Sequence, residues 1–387
     1  MTDRPLKIAF VVDRFGGRFG GAEAYGVELM RELSRKHDVT VFARQYDPAC
    51  DLHLPYVPIN IRRGLSSWMR VLLFAIRARR LTKQGFDIVH SHMNGWCGDI
   101  EVVHVTPVRY NWRVKPMAAV KRAMSFISPR VQTYLQLEAR RVEPRAGHRV
   151  VAVSGLIADQ LRQAYGGQHD FPVIPPGVSL AGPVDDAAAF ALRQSLGWSD
   201  TDLVCLLVAR NPMRKGLLTV LKALDRLPDR VKLLVVGGNA PARDFVRQQA
   251  AQLGERVQVI DETSDVGPYY ACADIYVHPT LNDSFGMAPL EAMSYGLPVI
   301  LSPAPWCGFA QYVQPETEAL LLDHPENADA LATYINRIDT DADCRRRLAH
   351  GAAAVVARHS WAEVAANYEA LYFQVLDERD GRVSSST

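Results

Sequence analysis

Two basic side chains five positions apart, Arg210 and Lys215 in the segment Val208-Ala-Arg-Asn-Pro-Met-Arg-Lys-Gly216, follow an apolar run that reads as a strand. Ligands bind at the carboxyl ends of strands in open α/β sheets. Cations placed there can neutralise charge developing on a departing diphosphate, a task otherwise given to a metal ion. A second segment runs from His278 to Ile300 and carries Asp283 in a loop and Glu291 near the start of a short helix. Pro289 suits the first turn of that helix, Gly296 the residue after its end, and Pro298 stops its continuation. Two carboxylates flanking a glycine-containing loop can accept hydrogen bonds from sugar hydroxyls while the loop amides donate; helix capping is the structural use of the same acids. A third candidate is Phe15-Gly-Gly-Arg-Phe-Gly-Gly-Ala-Glu23, where Gly17, Gly20 and Gly21 let backbone amides approach an anion and the helix start at Ala22 adds a favourable dipole. Its spacing differs from GxGxxG, and such turns also serve geometry alone.

These segments need a scaffold of strands and helices. Residues 7–12 read as a buried strand, 22–36 as a helix and 39–43 as the next strand, the opening of a doubly wound α/β domain. Further strands are legible at 88–92 and 150–153, the latter followed by a helix with Ser154 as N-cap. Residues 107–147 read as mostly helical and strongly basic. The segment Ile174-Pro-Pro-Gly-Val-Ser, continuing through Gly182-Pro183, marks an interdomain linker. The α/β rhythm then restarts, with strands at 203–209, 232–236, 257–260 and 275–278 and helices from about 216 and through 253. After Pro298 the chain turns largely helical, with apolar periodicity over 327–338 and 361–376.

Bulk composition narrows the classes. A chain of 387 residues, 48% hydrophobic and 22% charged, suits two globular domains. The six cysteines are scattered with no CxxC pair and no zinc spacing, which predicts free thiols in a reducing cytosol. The first residues lack the apolar core of a signal peptide, and Arg70, Arg77, Arg79 and Arg80 interrupt the best membrane-span candidate. The net charge of +2 conceals an asymmetry. Residues 1–180 hold 26 Lys and Arg against 15 Asp and Glu, +11, leaving −9 for the remainder. The basic half suits a phosphorylated acceptor or an acidic lipid surface, or is a solvated surface. Asp200, Asp202, Asp339 and Asp343 read as solvated turn acids and not as a metal site.

Taken together, the segments resemble a known family. The stretch from Asp283 to Ile300 is similar to the signature of retaining GT-B glycosyltransferases of family 4 (glycosyl transferases group 1), where two glutamates seven residues apart bracket a Phe-Gly step. Arg210 and Lys215 match that family's Arg and Lys pair, and Gly20-Gly21-Ala22-Glu23 its N-terminal loop. The stretch from Ile88 to His92, the Pro176-Gly177-Val178 linker and the closing Ser360-Trp361 helix also fit, so the resemblance spans nearly the whole chain. It implies two Rossmann-like α/β domains facing each other across a cleft. These are residues 1–178 for the acceptor and 179–360 for the nucleotide sugar, with residues 361–387 forming a C-terminal helix that packs back toward the first domain and a tail.

Carried over residue by residue, the resemblance gives Arg210 and Lys215 the donor diphosphate and Glu291 the nucleotide ribose. Asp283, with Ser284 and the amides of Phe285, Gly286 and Met287, would hold donor-sugar hydroxyls. Gly20 and Gly21 would contact the donor, and His92 would approach the sugar from the other domain. The family's first acid is usually Glu, and Asp283 is one methylene shorter, so either the loop sits closer or the donor sugar differs. His90 reads as a buried strand residue.

The resemblance further implies front-face substitution without a metal or other cofactor, and domain closure over the donor. The expected partners are a UDP- or GDP-hexose donor and an anionic glycan or lipid-linked acceptor such as the lipopolysaccharide core, with no nucleic acid. Residues 68–80 are amphipathic and basic, suited either to an anionic membrane surface or to packing on the domain core. The location expected is the cytoplasm, peripheral on the inner face of the plasma membrane. The rival readings are a sugar-nucleotide epimerase of the same architecture and a catalytically silent nucleotide-sugar-binding subunit.

Overall fold

The computed structural model describes residues 4–62, 64–93, 96–167, 169–263 and 265–381. The first sheet contains β1 (Lys7–Phe15), β2 (Asp38–Tyr46), β3 (Tyr56–Pro58), β4 (Ile88–Ser91), β5 (Ile100–Val103) and β6 (Arg149–Ala152), in the order β3-β2-β1-β4-β5-β6. The second contains β7 (Leu203–Val208), β8 (Val231–Gly238), β9 (Val257–Asp261), β10 (Ile275–His278), β11 (Val299–Leu301) and β12 (Leu320–Leu321), in the order β12-β11-β10-β7-β8-β9. Counted from its own first strand, each sheet therefore follows the order 3-2-1-4-5-6. Strand order reverses between β1 and β4 and between β7 and β10, and all four of these strands run parallel to their neighbours. A crevice for a ligand opens at the carboxyl ends of the strands at such a reversal.

The chain divides into two compact units: the residues up to Gly177 with those from Trp361 onward, and Val178–Ser360. In the second unit, Leu203, Cys205 and Leu207 of β7 lie with Leu233 and Val235 of β8 on one sheet face, against the helices Leu217–Leu224 and Ala328–Thr340. The alternate residues Val204, Leu206, Leu234 and Val236 face the helices Met287–Ser294 and Ala342–Arg358. Side chains alternate across a strand, so a sheet covered on both faces needs apolar residues at every position.

In the first unit, Ala9 and Val11 of β1, Phe42 of β2 and Val89 of β4 pack with Phe74 and Ala78 of the helix Ser67–Leu81. Part of the apolar stripe of residues 68–80 thus belongs to the domain core, while Arg70, Arg77, Arg79 and Arg80 stay exposed. Elsewhere in this unit, Tyr25 of the helix Gly21–Leu33 meets Trp361 and Tyr368 of the helix Trp361–Arg379, its hydroxyl donating to that of Tyr368 at 2.9 Å.

Three local readings are sharpened, the first of them mostly helical as expected. The basic segment 107–147 is broken into a π turn at Tyr110–Val114 and the helices Ala119–Ile127 and Pro129–Val142, with Ser128 capping the second. Proline explains the breaks, since Pro116 and Pro129 cannot continue a preceding helix. The acids at 339–343 do not form an open turn. Asp339 lies inside the helix Ala328–Thr340, and Asp341 caps the next helix by accepting the Asp343 and Cys344 amides. The glycine-loop helix begins at Gly21, one residue earlier than read from the sequence.

Candidate active site

Lys215 and Asp283 are 68 positions apart, yet the ammonium and the carboxylate form a direct ion pair. The backbone brings them together. Leu281 N–H donates to Arg214 O at 3.0 Å, and Gly216, at φ +87°, lets the loop after β7 press on the loop after β10. A Cβ at Gly216 would lie 2.0 Å from Pro279 O. Gly216→Ala is therefore expected to destabilise the second unit by at least about 2 kcal/mol, from the left-handed backbone and the steric displacement together. Urea unfolding checks this, and a loss below about 0.5 kcal/mol would contradict the close approach.

His278 closes β10 and lies beneath this pair. Its Nε2 is 3.0 Å from the same Asp283 oxygen, and its Nδ1 is 3.5 Å from the Tyr276 hydroxyl. A carboxylate only accepts, so the contact requires the Nε2–H tautomer. Burial alone would push the Asp283 carboxyl up, but the His278 hydrogen bond and the Lys215 ammonium outweigh it and hold it well below the usual carboxylate range. His278 is lowered by burial, against the opposing pull of Asp283. At neutral pH Asp283 is therefore a carboxylate and His278 a neutral imidazole.

Glu291 lies within the helix Met287–Ser294 and accepts the Tyr270 hydroxyl at 2.9 Å. Burial raises its pKa, and the Tyr270 hydrogen bond works in the opposite direction. Ser284, Phe285 and Gly286 lead into that helix. The Phe285 side chain is buried in the core against Phe309, so only its backbone is available to a ligand. The first amides of a helix have no intrahelical acceptor and point out of its start, which leaves Met287 placed to donate. Arg210, past the end of β7, pairs with Glu262 at 2.5 Å beyond the end of β9.

In the first unit, Gly20 caps the helix Gly21–Leu33 at the carboxyl end of β1, and Glu23 in its first turn pairs with Arg14 at 2.9 Å. His92 follows β4, across the strand reversal. Its Nε2 is 3.1 Å from His90 Nε2, and its Nδ1 is buried without a hydrogen-bond partner among the described residues. Burial first, then His104 and His90, hold its pKa well below the ordinary value, so His92 is a neutral imidazole. His90 is fully buried, with Nδ1 at 2.5 Å from the Tyr372 hydroxyl. A cavity of about 300 Å³ opens beside Asp13, Arg44, Arg70 and Tyr134. Arg44 grips Asp13 through two hydrogen bonds of 2.9 and 2.8 Å.

Within the second unit the structure joins Lys215 to Asp283 directly, gives Arg210 and Glu291 separate partners, and adds three residues the sequence reading missed: His278, Tyr270 and Glu262. His278 carried a signal, since it ends a strand beside the crevice. Tyr270 and Glu262 carried none, because their roles depend on contacts through space. Among the described residues no cluster of three or more His, Cys, Asp or Glu could hold a metal ion, and no helix is long and apolar enough to cross a membrane.

Two parallel sheets of this single strand order, the second with a Lys-Asp-His trio at its reversal point, match the architecture of the GT-B glycosyltransferases. The chain belongs to the glycosyltransferases of group 1 and family 4: the family model described as Glycosyl transferases group 1 matches residues 189–355, and that described as Glycosyltransferase Family 4 matches residues 19–181. It is 28% identical to a D-inositol 3-phosphate glycosyltransferase of Xylanimonas cellulosilytica, over 95% of this chain and 94% of the relative. It is 21% identical to the lipopolysaccharide glucosyltransferase WaaG of Escherichia coli, over 86% of this chain and 90% of that one. Its fold is similar to the crystal structure of WaaG, with a TM-score of 0.77 at 20% identity over 95% and 99% of the two chains. It is also similar to Anabaena HepE in complex with UDP-glucose, with a TM-score of 0.72 at 20% identity over 98% and 100%.

Proposed function

We propose that the enzyme transfers a hexose from a UDP- or GDP-linked donor to an anionic cell-surface glycan such as a lipopolysaccharide core, with retention of anomeric configuration and without a divalent metal. The observation that carries this reading is the Lys215 ammonium, largely buried and paired to Asp283 at the strand reversal of the second unit. A cation held there stabilises a departing diphosphate most strongly when negative charge has accumulated on it. In this reading Arg210 shares the diphosphate and the ribose diol donates to Glu291. The donor-sugar hydroxyls meet Asp283, Ser284 and the amides of Phe285, Gly286 and Met287. Gly20, Gly21 and His92 contribute from the first unit. The acceptor hydroxyl gives its proton to the departing phosphate oxygen while the new C1–O bond forms on the face from which the phosphate leaves.

Support for an anionic acceptor comes from Arg70 beside the cavity at the carboxyl ends of β1, β2 and β4. Peripheral contact with an anionic membrane is favoured by the helix Ala119–Ile127. Its Val120, Met124 and Ile127 are exposed at helical spacing beside Lys121 and Arg122. The inclusion of UDP-glucose in the HepE crystal and the naming of WaaG as a lipopolysaccharide glucosyltransferase agree with this choice of donor and acceptor.

The test is a panel of nucleotide sugars, scored by thermal shift and by nucleotide release with lipopolysaccharide core or inositol phosphate as acceptor. One nucleoside diphosphate sugar should stabilise the protein and be consumed, activity should survive EDTA, and NMR of the product should show the donor's anomeric configuration. Loss of activity with EDTA, or an inverted product, would contradict the mechanism, and consumption of no donor would contradict the whole reading.

A further inference from the structure

The residues leading into β4, β5 and β6 surround a cavity of about 250 Å³ in the first unit, at the sheet edge opposite to Gly20 and His92. Arg79 and Lys83 reach it from the end of the helix Ser67–Leu81, Arg145 from the turn before β6, and Arg379 from the last turn of the C-terminal helix. One carboxylate, Asp99, lines the same cavity and is already engaged, accepting the Val89 amide at 2.8 Å and lying 3.5 Å from Arg379. Among the described residues no carboxylate lies within 4 Å of Arg79, Lys83 or Arg145. The lining thus carries four cations and one anion. Converging like charges repel one another, and an anion placed among them reverses the sign of the interaction.

Two buried polar atoms point the same way. His148 lines the cavity at 8% exposure, and its Nε2 has no hydrogen-bond partner among the described residues. The indole Nε1 of Trp96, also in the lining, is buried and has no partner among the described residues. Indole N–H is a donor only, and a buried donor without an acceptor costs free energy that a ligand oxygen recovers. Guanidinium groups add paired donors whose fork matches phosphate oxygens. The residues assigned to the donor lie elsewhere and use none of these groups.

We propose that this cavity is a second anion site that binds the phosphate of a phosphomonoester, supplied either by a free phosphorylated metabolite or by a lipid headgroup. The test is calorimetric titration of the full chain with inorganic phosphate and with glycerol 3-phosphate, in saturating UDP and GDP so that the crevice beside Lys215 is filled. Both ligands should bind, and the double variant Lys83→Ala, Arg145→Ala, whose side chains are exposed, should weaken binding at least tenfold at unchanged thermal midpoint. Should that variant misfold, ¹⁵N-histidine NMR of the wild type gives an independent readout: phosphate should move the His148 ring signals, assigned with His148→Gln, and leave those of His278 in place. Added binding to phosphatidic acid vesicles, lost in the double variant, would assign the source to a lipid; glycerol 3-phosphate binding without vesicle binding would assign it to a free metabolite. Absence of phosphate binding by the wild type, or equal affinity in the double variant, or static His148 signals, would overturn the proposal. Failure of both UDP and GDP to bind would count against the donor reading alone.

Discussion

Lys215→Ala is expected to lower turnover by about 10²–10³-fold, the scale seen when a single preorganised group that stabilises transition-state charge is removed. The ammonium sits in a loop fixed by the Leu281–Arg214 backbone contact and by Gly216 against Pro279, so the geometry of the site does not depend on it. Its removal leaves Asp283 with His278 as its remaining charged-form partner, which raises the carboxyl pKa toward the ordinary range and adds a smaller penalty in donor-sugar binding. Lys215→Arg should recover part of the rate, because the charge persists while its position changes. The measurement is steady-state release of nucleotide with the thermal midpoint recorded in parallel. Near-normal turnover in a folded Lys215→Ala protein would remove the residue from the chemistry.

Acid should destabilise the first unit by several kcal/mol, through a buried cluster of histidines. His90 and His104 are held at about 3, His90 by burial and then by His104, and His104 by burial and then by Arg141. His92 lies beside both, and Tyr25, Tyr368 and Tyr372 enclose the group. An unfolded histidine titrates near 6.5, so in the window from about 6.5 to 3 the unfolded chain takes up protons that the folded chain refuses. The histidine contribution is therefore complete above pH 6.5 and falls as pH drops, by on the order of 4 kcal/mol for His90 alone once pH 3 is reached.

Glu101 acts in the opposite sense. Burial, opposed by Arg141, raises its carboxyl to about 7, so this group adds stability as pH falls from 7 toward 4.5. The net decline should accordingly be shallow down to about 4.5 and steep below it. Hydrogen exchange on β1 and β4 as a function of pH measures this unit by itself. A profile flat from pH 7 to 3 would contradict the burial of these histidines as neutral groups.

Much of this architecture was legible in the chain because its signals were local. The apolar runs of β1, β7 and β8, Ser154 as a cap and Gly296 after its helix each act within a few residues of themselves, and each appears in the structure. β5 was missed because Glu101 interrupts it, and the reason that acid can be buried, Arg141, lies forty residues away. The short edge strands β3 and β12 offer too few residues to establish a period. At the site, Arg210, Lys215, Asp283 and Glu291 stood out by motif, but the neighbours that set their state did not. Nothing near Asp283 in sequence announces that Lys215 will neutralise it, and Tyr270 is twenty-one residues from the Glu291 it holds.

The most direct test of the central claim is a crystal structure of the enzyme with a bound UDP- or GDP-hexose, read for the position of the two phosphates. The account predicts phosphate oxygens within hydrogen-bond distance of Lys215 Nζ and the Arg210 guanidinium, with the ribose on Glu291. A pyrophosphate seated away from the loop that follows β7 would contradict it.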